Sequence, residues 1–478
     1  MTDTLMVGVS GIRGIVGKDL TDEVVARYAM AFGAWAKQRT PLVVLGRDAR
    51  SSGPAFARAA VAGLGAAGCD VIDVGLVPTP TVQLAVEHHR AGGGIAITAS
   101  HNPIEWNALK FIGPDGIFLD ATEGGRVMQL AVEGGQGRSK AVKVATDDRA
   151  VERHLDAVLA LPAVDVERIR ARRFTVALDA VRGAGGPPMR ALLERLGCSV
   201  TGINLETDGQ FPRAPEPVPE NLGELSTLVR RTGAALGLAV DPDVDRLALV
   251  DENGTPIGED YTLAFAVRAV LGGPMERRND GTSAGTPARS SVPAFQRSIV
   301  VCNLSTSLVV EDAAREHGAE LIRTPVGEVH VARAILRLAA VIGGEGNGGV
   351  MYPALHAGRD APVAAALVLE LLARTGQAVG ELVAAAPRYA IVKAKAPRGP
   401  ALEPVYAALR RRFADAQADT QDGLRLSWQD RWLHVRPSNT EPIVRLIAEA
   451  RTAALARELV EEGRRLCAAA SLSEEIRH

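Results

Sequence analysis

Four short stretches concentrate residues able to do chemistry. Thr98-Ala99-Ser100-His101-Asn102-Pro103 puts a hydroxyl, an imidazole and an amide directly after an apolar run, and Lys110 follows ten residues past Ser100. Asp241-Pro242-Asp243-Val244-Asp245-Arg246 alternates three carboxylates and closes on an arginine. Gly344-Glu345-Gly346-Asn347-Gly348-Gly349 sets a carboxylate and an amide among glycines. Arg436-Pro437-Ser438-Asn439-Thr440-Glu441-Pro442 offers a guanidinium, two hydroxyls and an amide, with Arg445 just beyond. Near the start, Arg13 stands in Gly11-Ile12-Arg13-Gly14, where a cleft that holds phosphates could use it.

Each stretch allows a chemical and a plain reading. Three carboxylates at alternate positions repel one another unless a cation neutralises them, and hard oxygens suit magnesium. A calcium EF-hand competes, with Glu252 at position 12, but position 6 is Arg246 where the tight turn needs glycine. A solvated acidic turn is the plain alternative. Arg436, Ser438, Asn439, Thr440 and Arg445 make a concave anion site, or else a polar hairpin turn. Glu345 and Asn347 can accept from and donate to sugar hydroxyls, or belong to a flexible turn. Ser100 could be a nucleophile, yet the Gly-x-Ser-x-Gly elbow is absent, and His101 as immediate neighbour is poorly placed to be its base. Ser100 and Asn102 could instead only cap the next segment.

The elements that must position these loops repeat three times. Apolar strands begin near Pro41, Phe174 and Ser298, about one domain length apart. Each is followed by a helix-like segment, a second strand, another interval and a third strand. The third strands run into the serine loop, the aspartate loop and the Glu345 loop. Nearly all-apolar strands alternating with helices predict mainly parallel sheets covered on both faces. Ligands then bind beyond the carboxyl ends of the strands, so three equivalent loops can face one cleft. From Ala390 the pattern changes to strand, helix, three strands and helix, a small α+β domain that carries the Arg436 loop. The expected organisation is α/β: domain I over 1–155, domain II over 156–258, domain III over 259–378 and domain IV over 379–478. A Gly, Pro, Ser, Thr and Arg-rich stretch from Gly272 to Gln296 predicts a surface loop. A hinge for domain IV is expected near Gly376 to Pro387.

Composition excludes several classes. The 54 basic and 56 acidic residues nearly cancel, so no basic excess invites nucleic acid. The four cysteines (Cys69, Cys198, Cys302, Cys467) form no CxxC pair, which argues against a zinc site or disulfide framework and fits a reducing cytoplasm. No signal-peptide core or membrane-length apolar run is read.

Taken together, the four motifs, in this order and with Lys110, resemble the α-D-phosphohexomutase superfamily of phosphoglucomutases, phosphomannomutases and phosphoglucosamine mutases. The resemblance covers essentially the whole chain. It implies four domains around a central cleft, a serine that carries a phosphoryl group, and one magnesium ion. Ser100 then matches the phosphoserine, and Asp241, Asp243 and Asp245 the metal ligands, with Ser100 as a further ligand. Lys110 and His101 match the acid/base candidates, and Arg13 the arginine beside the phosphoserine; Arg246 is counted with the catalytic group. Glu345 and Asn347 match the sugar loop. Arg436, Ser438, Asn439, Thr440 and Arg445 match the phosphate loop. Three departures stand out: Gly349 where many members have histidine, Asn439 for a common glycine, and Pro242 for glycine in the metal loop.

The implied reaction interconverts hexose 6-phosphate and hexose 1-phosphate through a bisphosphorylated sugar, with hexose 1,6-bisphosphate as activator. The partner expected is a small sugar phosphate, with no nucleic acid or membrane, for a monomer or homodimer. Glu328, read as lying in a cleft-facing loop from Thr324 to Ala332, could pair with a protonated 2-amino group; this favours glucosamine phosphate. A phosphomannomutase/phosphoglucomutase of dual specificity is the alternative. An Asp-x-Asp phosphatase and a non-catalytic sugar-phosphate binding protein are the readings from other classes.

Overall fold

The computed structural model describes residues 5–8, 10–134, 142–273, 298–399, 401–438 and 443–475. Asn439, Thr440 and nearly all of the 272–296 loop lie outside the described residues.

The described residues form four sheets. Strand order in the first is Met6–Gly8, Gly11–Ile15, Trp106–Ile112, Gly93–Ile97, Leu42–Arg47, Asp70–Leu76, Val144–Thr146. In the second it is Leu247–Val250, Leu236–Val240, Thr175–Asp179, Ser199–Ile203. The third repeats the second in the same connectivity: Gly349–Met351, Ile342–Glu345, Ile299–Asn303, Glu320–Thr324. In each, the strand that opens the repeat (Leu42–Arg47, Thr175–Asp179 or Ile299–Asn303) pairs in parallel with the repeat's second strand (Asp70–Leu76, Ser199–Ile203 or Glu320–Thr324) and with its third (Gly93–Ile97, Leu236–Val240 or Ile342–Glu345). A fourth strand then folds back antiparallel onto the third.

Most pairs in these three sheets are parallel, as expected, and the returning strand adds to each an antiparallel pair that the sequence did not announce. It is also what makes the site loops. The serine, aspartate and Glu345 loops are each the turn of a hairpin at the carboxyl end of a central strand. The fourth strand is short in two cases (Leu247–Val250 and Gly349–Met351), and its apolar residues read as a continuation of the core.

The second and third sheets share one core. A single buried cluster joins Leu178, Leu238 and Leu249 to Val300, Ile342 and Val350. Helices Asp260–Leu271 and Ala361–Thr375 form the filling. The latter is buried along nearly its whole length and is apolar on nearly every face rather than amphipathic, its one buried carboxylate, Glu370, being paired with Arg168. Asp360 caps its start by accepting from Val363 N, and Gly376, in left-handed conformation, ends it. A short helix, Val379–Ala385, occupies the expected hinge stretch.

The fourth sheet is antiparallel, in the order Ala390–Pro397, Ile443–Ala450, Trp432–Pro437, Leu424–Ser427, Gln417–Asp419; the last strand was not expected from sequence. Its two faces differ as strand alternation demands. Leu424, Leu426, Leu433, Val435, Val444 and Leu446 pack beneath helices Glu403–Arg412 and Ala453–Glu475. The opposite face carries His434, Arg436, Arg445 and Glu449, and it docks on the third domain. Glu449 accepts from Ser307 Oγ, from Leu308 N at 2.8 Å and from Trp432 Nε1 at 2.7 Å. His434 meets Ser305 Oγ at 2.9 Å and the Asp422 carbonyl at 2.7 Å. Burial holds the His434 imidazole down at about 4, so it is neutral in this contact.

Candidate active site

Ser100 follows the buried strand Gly93–Ile97 and takes φ +47°, a left-handed conformation rare outside glycine. The loop is held there by two residues the sequence reading passed over, Asp48 and Arg50, at the end of strand Leu42–Arg47. Thr98 Oγ1 donates to Asp48 Oδ2 at 2.7 Å and accepts from Ser100 N at 2.9 Å. Arg50, fully buried, pairs with Asp48 at 3.1 Å. Its guanidinium donates to four loop carbonyls: Ser100 at 2.7 Å, Asn102 at 2.7 Å, Pro103 at 2.7 Å and Trp106 at 2.9 Å. The signal available was Gly-Arg-Asp-Ala-Arg: charges set at a strand end need a partner once buried.

The serine points at the aspartate loop. Ser100 Oγ donates to Asp241 Oδ2 at 2.7 Å across 141 positions of sequence. His101 Nδ1 lies 3.4 Å from the same Oγ. Arg246, with burial and Arg13, drives the His101 imidazole down to about 2, so it is neutral. Arg13 donates to Asn102 Oδ1 at 2.7 Å, on the same side of the loop.

Asp241, Asp243 and Asp245 are all buried, and one oxygen from each lies within 4.8 Å of the others. Val244 among them has φ +64°, an outlier for a β-branched residue and a sign that the loop is held against its preference. Asp241 Oδ1 accepts from the amides of Asp245 and Arg246 at 3.2 Å each. Lys110 Nζ donates to Asp243 Oδ2 at 2.6 Å and lies 3.7 Å from Asp245 Oδ2. Thr79 Oγ1 reaches the same Asp243 oxygen at 2.7 Å. Burial alone would discharge Lys110, but the two carboxylates outweigh it and keep the ammonium charged. Burial also raises Asp243, yet Lys110 together with the hydrogen bonds of Asp241 and Thr79 outweighs it and holds that carboxyl well down. Asp241 goes the other way, raised by burial and by Asp245 and Asp243.

Asp243 Oδ1 and Asp245 Oδ1 remain buried without a hydrogen-bond partner. Orphaned carboxylate oxygens converging in one buried cluster fit a hard divalent cation. The EF-hand alternative fails on its flanks, which are strands and not helices.

The Glu345 loop reaches the same place from the third domain through a residue no motif indicated. Arg359, buried, presents Nη2 to Asp245 Oδ2 at 2.6 Å and Nη1 to Glu345 Oε2 at 2.9 Å. Its Nε makes a 3.0 Å ion pair with Glu328 Oε2 that lacks hydrogen-bond geometry. Glu345 Oε1 accepts from Asn303 Nδ2 at 2.8 Å and from Gly327 N at 3.2 Å. Burial would raise Glu345, but Arg359 holds its carboxyl below the usual range. Asn347 Oδ1 accepts from Gly349 N at 3.1 Å, and its amide is half-buried.

Glu328 is not the open loop carboxylate expected. Gly327, at φ +133°, turns the chain so that Glu328 begins the helix Glu328–Leu338, and Arg359 takes its carboxylate. The short Gly-Glu sequence hid the helix start because the cap has no side chain to announce it.

The fourth domain supplies a row of cations. Lys395 is in register with Arg445, and Arg445 with Arg436, on three adjacent strands. Arg436 Nε makes a 2.9 Å ion pair with Asp422 Oδ2 that lacks hydrogen-bond geometry, and the same oxygen accepts from Val326 N at 3.1 Å. Ser438 is buried at the end of its strand. Lys395 went unnoticed in the sequence, although Lys393 and Lys395 alternate along one strand.

The arrangement can seat a cation and a hydroxyl nucleophile together, with a charged lysine beside them, and the fourth domain adds a row of one lysine and two arginines suited to an anion. The comparisons agree with this chemistry. Models of phosphoglucomutase/phosphomannomutase domains I, II, III and the C-terminal domain match residues 4–136, 152–254, 288–389 and 391–466. A phosphoglucomutase/phosphomannomutase of Thermococcus kodakarensis is 37% identical over 473 residues, 96% of this chain and 98% of that protein. A protein of Methanopyrus kandleri named probable phosphoglucosamine mutase is 37% identical over 462 residues, 95% of this chain and 96% of that one. The phosphoglucosamine/phosphogalactosamine mutase of Sulfurisphaera tokodaii is 32% identical over 466 residues, covering 96% and 98%. Among solved structures, a phosphoglucomutase/phosphomannomutase family protein from Burkholderia thailandensis superposes with TM-score 0.81 at 27% identity, covering 97% of this chain and 98% of that one. Matched in all four domains and along almost its full length, the chain belongs to the phosphoglucomutase/phosphomannomutase family and is a phosphohexomutase, an isomerase that moves a phosphoryl group within a hexose.

Proposed function

We propose that Ser100 carries the phosphoryl group that this mutase gives to its substrate and later recovers. The observation that supports it most is the 2.7 Å contact of Ser100 Oγ with Asp241 in a buried cluster of carboxylates that includes two unsatisfied oxygens. A magnesium ion held by Asp241, Asp243 and Asp245, with Ser100 as a further ligand, would supply charge neutralisation for phosphoryl transfer. The chain's own residues do the rest. Phosphoserine loses its P–O bond to Oγ while a P–O bond to a sugar hydroxyl forms. The hydroxyl proton ends on Ser100 Oγ, with Lys110 Nζ assigned to its relay. Neutral His101 and charged Arg13 and Arg246 face the transferred group.

Arg436, Ser438 and Arg445, with Asn439 and Thr440, are assigned to the phosphate that is not reacting. Glu345 and Asn347 are assigned to adjacent sugar hydroxyls. A bisphosphorylated sugar must then reorient between the two transfers without escaping, and hexose 1,6-bisphosphate would activate enzyme that has lost its phosphoryl group.

Glucosamine phosphate is the substrate we favour, on the names of the Methanopyrus and Sulfurisphaera relatives. The contact first argued for it, Glu328 with the 2-amino group, is weakened because Arg359 already engages that carboxylate. This observation and the Thermococcus relative favour a second reading, a mutase of glucose and mannose phosphates. The test is kcat/KM for glucosamine, glucose, mannose and N-acetylglucosamine phosphates with bisphosphate present, together with intact mass. Preference for glucosamine phosphate and a phosphoryl adduct on Ser100 are expected. Phosphate release without isomerisation would defeat the mutase assignment, and equal or better turnover of mannose and glucose phosphates would defeat the amino-sugar reading.

A further inference from the structure

Arg359 is 7% exposed and engages carboxylates from three separate segments. Nη2 holds Asp245 of the aspartate loop, Nη1 holds Glu345 of the sugar loop, and Nε pairs with Glu328 at the start of the helix Glu328–Leu338. Its own backbone N–H donates to Glu328 Oε1 at 3.3 Å. No other side chain named in this site joins both loops.

The side chain reaches them by crossing bare backbone. A Cβ at Gly349 would lie 2.3 Å from Arg359 Cδ and 2.9 Å from Cγ, closer than any real contact. The third-domain loop therefore leaves position 349 without a side chain, and Arg359 fills that volume.

The arginine is also fixed from behind. The next residue, Asp360, is buried and meets His154 Nε2 at 2.8 Å and His356 Nε2 at 2.9 Å. His154 is in turn held by Thr81 Oγ1 at 2.8 Å. Thr81 and His154 come from helices Thr79–His88 and Ala150–Leu159, outside the third sheet's domain, so the Arg359 backbone is anchored to the frame of the molecule.

We propose that Arg359 is the positioning residue that ties the metal loop to the sugar loop, setting cation affinity and sugar binding together. With Oδ2 of Asp245 engaged by Arg359, its other oxygen, Oδ1, is the one left without a hydrogen bond, with Arg246 Nε 3.7 Å away, and it can turn to a cation. With Oε2 of Glu345 on the same guanidinium, the sugar-facing loop is set relative to that cation. Hydrogen bonds that orient a ligating carboxylate commonly change metal affinity by about 10–100-fold when lost. The planar fork is essential, because a lysine offers one charged centre and cannot meet three carboxylates at once.

This inference rests on Asp245 being a metal ligand and Glu345 a sugar contact. It is tested in the full-length protein by Mn2+ binding, read by electron paramagnetic resonance without substrate, and by separate kcat and KM for glucose 6-phosphate and glucosamine 6-phosphate. Three variants are compared. Arg359→Lys keeps the charge. Arg359→Met with Glu328→Gln removes one charge of each sign, so no new net charge is buried. Gly349→Ala removes no contact but displaces the Arg359 side chain. Each is expected to bind Mn2+ about tenfold or more weakly than wild type and to raise KM, with thermal unfolding of the lysine variant close to wild type. Wild-type Mn2+ affinity and KM in Arg359→Lys and Gly349→Ala would overturn the proposal alone. Absence of Mn2+ binding in the wild type would overturn the metal reading and the proposal with it.

Discussion

Replacing Arg50 by methionine should unfold the first domain at a lower temperature and cost activity at a serine that Arg50's side chain touches only through backbone. The magnitude follows from its surroundings. Arg50 and Asp48 both have fully buried side chains, so removing one leaves a buried charge. Breaking such a pair costs about 3–5 kcal/mol. The four carbonyls of the Ser100 to Trp106 turn lose their donor as well, so the lower end is a floor. For a unit of this size, about 2–4 °C per kcal/mol converts this to a fall in Tm of about 6–20 °C. Asp48 can relieve part of the cost by taking a proton. Burial already pushes its carboxyl up against the opposing pull of Arg50, and loss of Arg50 raises it further. The penalty should therefore shrink as pH falls. Asp48→Asn added to Arg50→Met should recover part of the Tm. It should recover little activity, because the turn that aims Ser100 still lacks its anchor and misplacement by about 1 Å can cost about 100-fold. Calorimetry of each variant across pH, beside kcat/KM, is the assay. A Tm within about 2 °C of wild type, or a double variant no more stable than the single one, would refute the reasoning.

Ser100→Ala should abolish turnover and the phosphoryl adduct while shifting stability by no more than about 1 kcal/mol, since both residues meet the same φ of +47°; near-normal turnover would remove Ser100 from its role. Chelation should silence the wild type and magnesium restore it, whereas Asp243→Asn should not be rescued; a chelated enzyme at full rate would contradict the metal assignment. The docking of the fourth domain should weaken in acid. His434 is held at about 4, below the ordinary range near 6.5, so the folded state binds fewer protons between those values. Its contribution is complete above about 6.5 and is lost as pH falls toward 4, by at most about 1.4 kcal/mol per pH unit. His434→Gln should flatten that dependence in calorimetry, and an unchanged slope would show that another group titrates.

What the sequence determined by itself was whatever depends on local order. Period and strand ends marked the third-strand loops, and alternation marked the strands of the last domain. The motifs pointed to Ser100, Lys110, Asp241, Asp243, Asp245, Glu345 and Arg436, because residues proposed for one task lie close together in the chain. What only the tertiary structure decided was which distant charges meet. Asp48 and Arg50 sit on a different strand from the serine they hold, and Lys395 joins Arg445 and Arg436 only through strand register. Glu328 changed from an open loop acid to a helix-start partner of Arg359. Arg359 follows no motif, yet it touches carboxylates 14, 31 and 114 positions away. A buried charge is stable only when others are brought to it, and which ones arrive is settled by packing and by sheet register. Neither leaves a mark on the residues beside it in the chain.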